Sequence, residues 1–295
     1  MTPSLRAALE QRLGTAVQST RPLSGGDIND AFEVALRNGD RLFVKTHPNP
    51  PGGMFEAEAH GLRWLKEAEA VRVPNVLAFS DDRPAYLALE LLTPAKRVPD
   101  FDEGLGSALA ALHARGAPSF GLDRDNFIGR LPQSNTQSGD WASFYWRERL
   151  EAQLRLATDR GLIDSGAQRQ FDALQRVLPD RVGPAEPPSR LHGDLWGGNL
   201  HVDDGGRPCL IDPAVYGGHR EVDLAMMRLF GGFSSRVFSA YEEAWPLAPG
   251  AEERIPLYQL YPLLVHVNLF GAGYVGSVKR ALAQAIESQP KLGGS

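Results

Sequence analysis

Three polar side chains, Asp194, Asn199 and Asp212, stand among apolar residues and glycines in the stretch "LHGDLWGGNLHVDDGGRPCLIDP". Without partners, such groups between apolar strands would be costly to fold around. As a set they meet the demands of phosphoryl transfer, which needs a base for the acceptor hydroxyl, oxygen ligands for magnesium and a cation on the nucleotide phosphates. Asp194 precedes Asn199 by five positions, the separation of aspartate and asparagine in the catalytic-loop pattern H-R-D-x-x-x-x-N, which makes Asp194 the candidate base. Asp212 follows the second strand of an expected hairpin, where the magnesium-binding aspartate of D-F-G belongs. Hard oxygen donors of this kind suit Mg2+, which also keeps phosphate oxygens and water.

The cation comes earlier in the chain. The run "LFVK" ends in Lys45 soon after the turn "RNGD", and Glu58 stands on the segment that follows. A strand lysine paired with a glutamate on the next helix is how kinases hold nucleotide phosphates. Glu56 carries the same charge two positions earlier, and both glutamates also fit a solvated helix face, with Glu58 preferred over Glu56 as the partner of the lysine. In "SGGDIND", Gly25 and Gly26 have no side chains to keep backbone N–H groups away from phosphates. His192 is expected to brace its loop through the ring rather than to act on substrate. Lysine, base and ligands agree in type and order, so the residues predict ATP- and Mg2+-dependent phosphorylation of a hydroxyl.

Positioning them requires two lobes, since 295 residues exceed most single cores. The first, residues 1–92, reads as a helix with Leu5, Leu9 and Leu13 on one side, then strands in "AVQSTRPLSGG" and "DAFEVALRNGDRLFVKTH", the latter folded at an Asn-Gly turn. An amphipathic helix with Phe55, Leu62 and Leu65 on one face follows, then strands in "VPNVLAFS" and "PAYLALELL". The second lobe, residues 93–295, recurs mostly at helical spacing, as in "DWASFYWRERLEAQLRLATDRG". Its exception is a small hairpin, "NLHV" and "CLID" around "DDGGRP". The fold class is α+β, with a β-rich first lobe for nucleotide and a larger helical one for the catalytic loop, magnesium and substrate.

A hydrophobic share of 42% with 23% charged residues is that of an ordinary globular chain. The net charge of -5, without a basic block, offers no footprint for nucleic acid or an anionic membrane, so neither is an expected partner. The most apolar run, "LYPLLVHVNLFGAGYVG", is interrupted by His266 and Asn268 and reads as a buried helix. Cys209 is the only cysteine, which excludes an intrachain disulfide, and its apolar run predicts burial. A cytoplasmic protein is the expectation.

With those residues in view, the sequence resembles the fructosamine kinase, or ketoamine kinase, family of the protein-kinase-like superfamily, alongside aminoglycoside and choline kinases. The likeness rests on "SGGDIND", "FVK", "MFEAEAHGL", "DNFIGRLPQSN", "DWASFYWRERL", "HGDLWGGN", "DPAVYGGHREVDLAM" and "LFGGF", in the right order over nearly the whole chain. It implies a bilobal protein-kinase-like fold, with Asp194 as the base, Asn199 and Asp212 on Mg2+, and Lys45 with Glu58 orienting the phosphates of ATP. Backbone groups of Glu90, Leu91 and Leu92 would meet adenine. It also implies a substrate, a sugar ketoamine, free or protein-bound, phosphorylated on its 3-hydroxyl, after which the adduct releases its amine.

Some family members carry a cysteine in the glycine-rich loop that permits a redox-regulated dimer. Here Asp27 occupies what looks like the matching position, so that regulation is not expected, and no obligate protein partner is implied. The rivals are a kinase of an aminoglycoside, choline or homoserine, and a nucleotide-binding regulator without catalysis. The segments "DNFIGRLPQSN" and "DPAVYGGHREVDLAM" weigh against the first, and the joint presence of Lys45, Asp194, Asn199 and Asp212 against the second.

Overall fold

The computed structural model describes residues 1–23 and 29–287. The chain divides into two compact units, Met1–Phe101 with Asn199–Ala214, and Asp102–Gly198 with Val215–Ser295. A boundary at residue 92 alone would leave the hairpin with the helical lobe; by its contacts it belongs to the first unit. The Leu210 N–H donates to the Arg72 carbonyl (2.8 Å), the Ala95 N–H to the Asp203 carbonyl (3.1 Å) and the Val98 N–H to the Gly206 carbonyl (3.1 Å).

In the first unit, helix α1 (Pro3–Leu13) starts at Thr2, whose hydroxyl accepts the Leu5 N–H at 3.2 Å, and it buries Leu5 and Leu9. Strands β1 (Val17–Leu23), β2 (Asp30–Leu36) and β3 (Arg41–Thr46) follow, then helix α2 (Met54–Lys66), β4 (Val76–Ser80) and β5 (Tyr86–Glu90). They form one antiparallel sheet of order β1-β2-β3-β5-β4. Strand β5 lies between β3 and β4, and its first four residues are all buried, which is why "YLAL" is a continuous apolar run. Helix α2 packs on β4 and β5, and its Phe55, Leu62 and Leu65 are buried at 0%, 1% and 0% exposure. Its opposite face carries the exposed Glu56.

The second unit opens with α3 (Phe101–Ala114), β6 (Asn126–Ile128) and β7 (Leu131–Gln133). The single helix expected in "DWASFYWRERLEAQLRLATDRG" is α4 (Trp141–Phe144) and α5 (Ala152–Asp159) joined by a π-helical turn, Tyr145–Glu151. That wider turn holds Arg149, which is fully buried. Its guanidinium lies 3.8 Å from the centre of the Tyr216 ring, and it donates to the Ser134 carbonyl (2.6 Å) and Asn135 Oδ1 (2.7 Å). A helical period in the sequence does not distinguish a π turn from a regular one.

After α6 (Ser165–Val177) and β8 (Ser189–Leu191) come the two strands of the first unit's hairpin, β9 (Leu200–Val202) and β10 (Pro208–Leu210). The second unit resumes with β11 (Tyr216–Gly218), α7 (Glu221–Phe230), α8 (Ser235–Ala244), α9 (Ala251–Phe270) and α10 (Val275–Glu287). Strand β11 pairs with β8, Tyr216 opposite Leu191, and β6 pairs with β7. Neither ladder was expected, because strands of 3 residues are too short for an alternating pattern to register. The apolar run near the C-terminus is helical in α9, with Leu260, Leu264 and Val267 at 0% exposure. Among the described residues, no helix is long and apolar enough to cross a membrane.

Candidate active site

Lys45 projects from β3 with 8% exposure. Its Nζ donates to Glu58 Oε1 at 2.7 Å and also bonds Asp212 Oδ1. Burial works against the ammonium charge, but the carboxylates of Asp212 and Glu58 more than offset it and raise Lys45 above the ordinary lysine range. Burial also pushes the Glu58 carboxyl upward, against the pull of the Lys45 charge. Of the two helix glutamates it is therefore Glu58 that meets the lysine, while Glu56 faces solvent.

The hairpin explains how residues 13 apart meet. Leu200 of β9 pairs with Leu210 of β10, so Asn199 just before the first strand and Asp212 just after the second lie at the same end. The Ile211 N–H donates to the Asn199 carbonyl (3.0 Å), and Asn199 Nδ2 approaches the Asp212 carbonyl at 3.4 Å. Asn199 is buried, whereas the Asp212 side chain is 41% exposed and can be reached from solvent. Asp212 has φ 54°, a left-handed backbone that only Glu69 shares among the described non-glycine residues. Strain of that kind is kept where surrounding structure enforces it and is frequent at functional sites.

The expected hinge lies at the end of β5. The Glu90 N–H donates to the Asn75 carbonyl (3.0 Å) and the Leu91 N–H to the Arg41 carbonyl (3.4 Å). The Glu90 carboxylate is held by Arg72 and accepts the Asn75 N–H at 2.9 Å. Gly25, Gly26 and Asp27 lie outside the described residues.

The loop that carries Asp194 belongs to the second unit. The Asp194 N–H donates to His192 Nδ1 at 3.3 Å, and His192 is fully buried, as its expected bracing role requires. The Asp223 carboxylate of α7 accepts the N–H groups of His192 (2.8 Å) and Gly193 (2.9 Å) and lies 3.2 Å from His113 Nε2. Burial by itself would raise the Asp223 carboxyl, yet the His113 bond, the histidine charges and the Gly193 N–H leave it lowered. Gly193 takes φ 82°, a conformation in which a side chain would be strained. Asp223 was missed in the sequence, where its one signal is an acid inside the apolar helix face "VDLAMM".

A second glycine contact borders the loop. The Gly197 N–H donates to the Gly231 carbonyl (3.2 Å), and a Cβ on Gly197 would come within 2.9 Å of the Gly232 Cα. "WGGN" and "LFGGF" thus touch backbone to backbone. Tyr216, the hydroxyl between Asp212 and α7, is fully buried and serves packing.

The model of the fructosamine kinase family matches residues 1–288. A Lactiplantibacillus plantarum protein named probable ketoamine kinase is 40% identical over 272 residues, 92% of this chain and 95% of its own. The chloroplastic protein-ribulosamine 3-kinase of Arabidopsis thaliana is 38% identical over 270 residues, 90% of this chain and 82% of its own. A Thermobifida fusca crystal structure, solved as a candidate fructosamine-3-kinase, superposes with a TM-score of 0.90 at 40% identity, covering 97% of this chain and 99% of its own. At 16% identity, with 95% of this chain and 97% of the other covered, a choline kinase of Streptococcus pneumoniae shares the kinase-like α+β fold at a TM-score of 0.63. The chain belongs to the fructosamine kinase family.

Proposed function

We propose that this protein is an ATP- and Mg2+-dependent kinase that phosphorylates the 3-hydroxyl of sugar ketoamines, free or protein-bound. The observation that carries the reading is the buried Lys45 held between Glu58 and Asp212, with Asn199 at the same end of the hairpin. The substrate class is supported by relatives named ketoamine kinase and protein-ribulosamine 3-kinase.

Mg2+ is held by one or two protein oxygens together with phosphate oxygens and water. The Asp212 carboxylate and the Asn199 amide are a donor set of that kind. Among the described residues no group of three or more His, Cys, Asp or Glu offers an all-protein cage instead. Bound there, Mg2+ would neutralise charge on the transferred phosphoryl group. Lys45, kept protonated by its two carboxylates, meets phosphate oxygens, and Glu58 keeps it extended toward them. Asp194 accepts the proton of the acceptor hydroxyl, on a loop held by Asp223. With the Glu90 and Leu91 N–H groups committed to Asn75 and Arg41, the Leu92 N–H is the donor for adenine. When the product loses a carbon-1 proton to form the 1,2-enaminol, phosphate leaves from carbon 3. Water then cleaves the resulting carbon-1 imine to free the amine and a 3-deoxy-2-ketoaldehyde, which makes the activity a deglycation.

The test is a coupled measurement of ADP release over fructose, ribulose and erythrulose adducts of one amine, with an aminoglycoside, choline and homoserine as controls. Mg2+-dependent turnover of at least one ketoamine, far above every control, is expected. A control turned over faster than any ketoamine would replace the substrate class. ATP binding without turnover of anything would favour a regulator.

A further inference from the structure

The first four N–H groups of an α-helix have no partner within it. In α2 the Met54 N–H donates to the Pro51 carbonyl (3.3 Å) and the Ala57 N–H to the Gly53 carbonyl (2.9 Å). Gly53, at the N-cap, has no side chain to offer the other two. They are satisfied from far along the chain. Asp81, in the turn between β4 and β5, accepts the Phe55 N–H at Oδ1 (3.0 Å) and the Glu56 N–H at Oδ2 (2.9 Å). This carboxylate does at long range what an Asp at the N-cap does locally, and it sets a negative charge at the positive end of the helix.

The same turn also reaches the strand that carries Lys45. Thr46, the next residue, donates its hydroxyl to the Ala85 carbonyl at 2.7 Å. The turn is braced by Ser80 Oγ on the Asp82 carbonyl (3.2 Å) and by Arg83 on Asn49 Oδ1 (3.1 Å). In an α-helix the Glu58 N–H points at the Met54 carbonyl, so melting the first turn of α2 would release the backbone of Glu58. Both members of the Lys45–Glu58 pair are thus registered on one short turn, Glu58 through Asp81 and Lys45 through its neighbour Thr46.

We propose that Asp81 is a positioning residue for the nucleotide phosphates: capping α2 from the β4–β5 turn, it fixes Glu58 against Lys45. The inference rests on the reading that Lys45 and Glu58 orient those phosphates.

Steady-state kinetics on Asp81→Ala, Asp81→Asn, Glu58→Ala and the Asp81→Ala/Glu58→Ala double variant test it. Loss of the cap should lower kcat/KM for ATP about fivefold in Asp81→Ala, with KM for the ketoamine unchanged. Asp81→Asn keeps one acceptor oxygen and should recover part of the loss. In the Glu58→Ala background the further loss should shrink to under about twofold, because both residues act through one pair. A merely stabilising Asp81 would lower Tm equally in both backgrounds and leave kcat/KM for ATP of the folded enzyme unchanged. That result, or full additivity with Glu58→Ala, overturns the proposal. If Asp81→Ala does not fold, Asp81→Asn alone and with Glu58→Ala makes the same comparison. Normal turnover in both Glu58→Ala and Lys45→Met would refute the phosphate-orienting reading itself, whereas their loss beside an unaffected Asp81→Ala would refute the inference alone.

Discussion

Asp223→Asn removes one acceptor from the carboxylate that holds the loop of Asp194. In the folded chain that carboxylate is fully buried and accepts the His192 N–H at 2.8 Å and the Gly193 N–H at 2.9 Å. Asparagine has a single acceptor oxygen, so one backbone N–H would face an NH2 group with no partner. A hydrogen bond to a charged group contributes about 1.5–3 kcal/mol and an orphaned buried donor costs about 1–3 kcal/mol, so a loss of about 3 kcal/mol is expected. For a chain of this size that lowers Tm by roughly 6–12 °C. Turnover should fall more steeply than stability, because Asp194 follows Gly193 directly and a misplacement of about 1 Å costs roughly 10²-fold. ATP affinity should hold, since Lys45, Glu58 and Asp212 lie in the first unit. The pH dependence carries a sign of its own. The Asp223 carboxyl is lowered on folding, so its contribution is present above the ordinary aspartate range and is lost as pH falls through the folded-state value. Wild-type Tm should therefore drop on acidification below about pH 4, and Asp223→Asn should lack that part of the drop. Thermal melts from neutral pH downward, with kcat on the best ketoamine, measure both. A variant melting within about 2 °C of wild type with turnover within about twofold would show that other groups hold the loop.

Asp194→Asn should keep ATP affinity by calorimetry while turnover falls about 10²–10⁴-fold; near-normal kcat would remove Asp194 from the role of base. Asp212→Ala should abolish activity more completely than Asn199→Ala, because it removes a charged ligand and a partner of Lys45. Excess Mg2+ should partly restore only Asn199→Ala, and equal losses with no Mg2+ dependence would refute both ligand assignments. Cys209 is fully buried and its thiol is pushed up to about 12 by burial. Iodoacetamide should label it far more slowly in the native protein than in urea, and non-reducing gels should show no covalent dimer. Rapid native labelling, or a dimer lost in Cys209→Ser, would contradict the buried thiol.

Local signals in the chain carried the elements and most of the candidate site. Apolar spacing placed Phe55, Leu62 and Leu65 on one face of α2, the Asn-Gly turn set up β2 and β3, and the turn "DDGGRP" marked the hairpin of β9 and β10. The same locality made Asn199 and Asp212 legible as a pair, since a hairpin brings its two ends together whatever surrounds it. Contacts between distant segments had no such signal. Nothing near Asp223 announces that it accepts N–H groups 30 and 31 positions earlier, and nothing near Asp81 announces that it caps a helix beginning at Met54. The hairpin's membership of the first unit, the β8–β11 ladder and the π turn around Arg149 were equally silent. Periodicity and turn chemistry act over a few residues and can be read in order. A buried carboxylate is satisfied by whichever N–H groups the folded chain brings to it, and that pairing exists only once segments far apart in sequence have met.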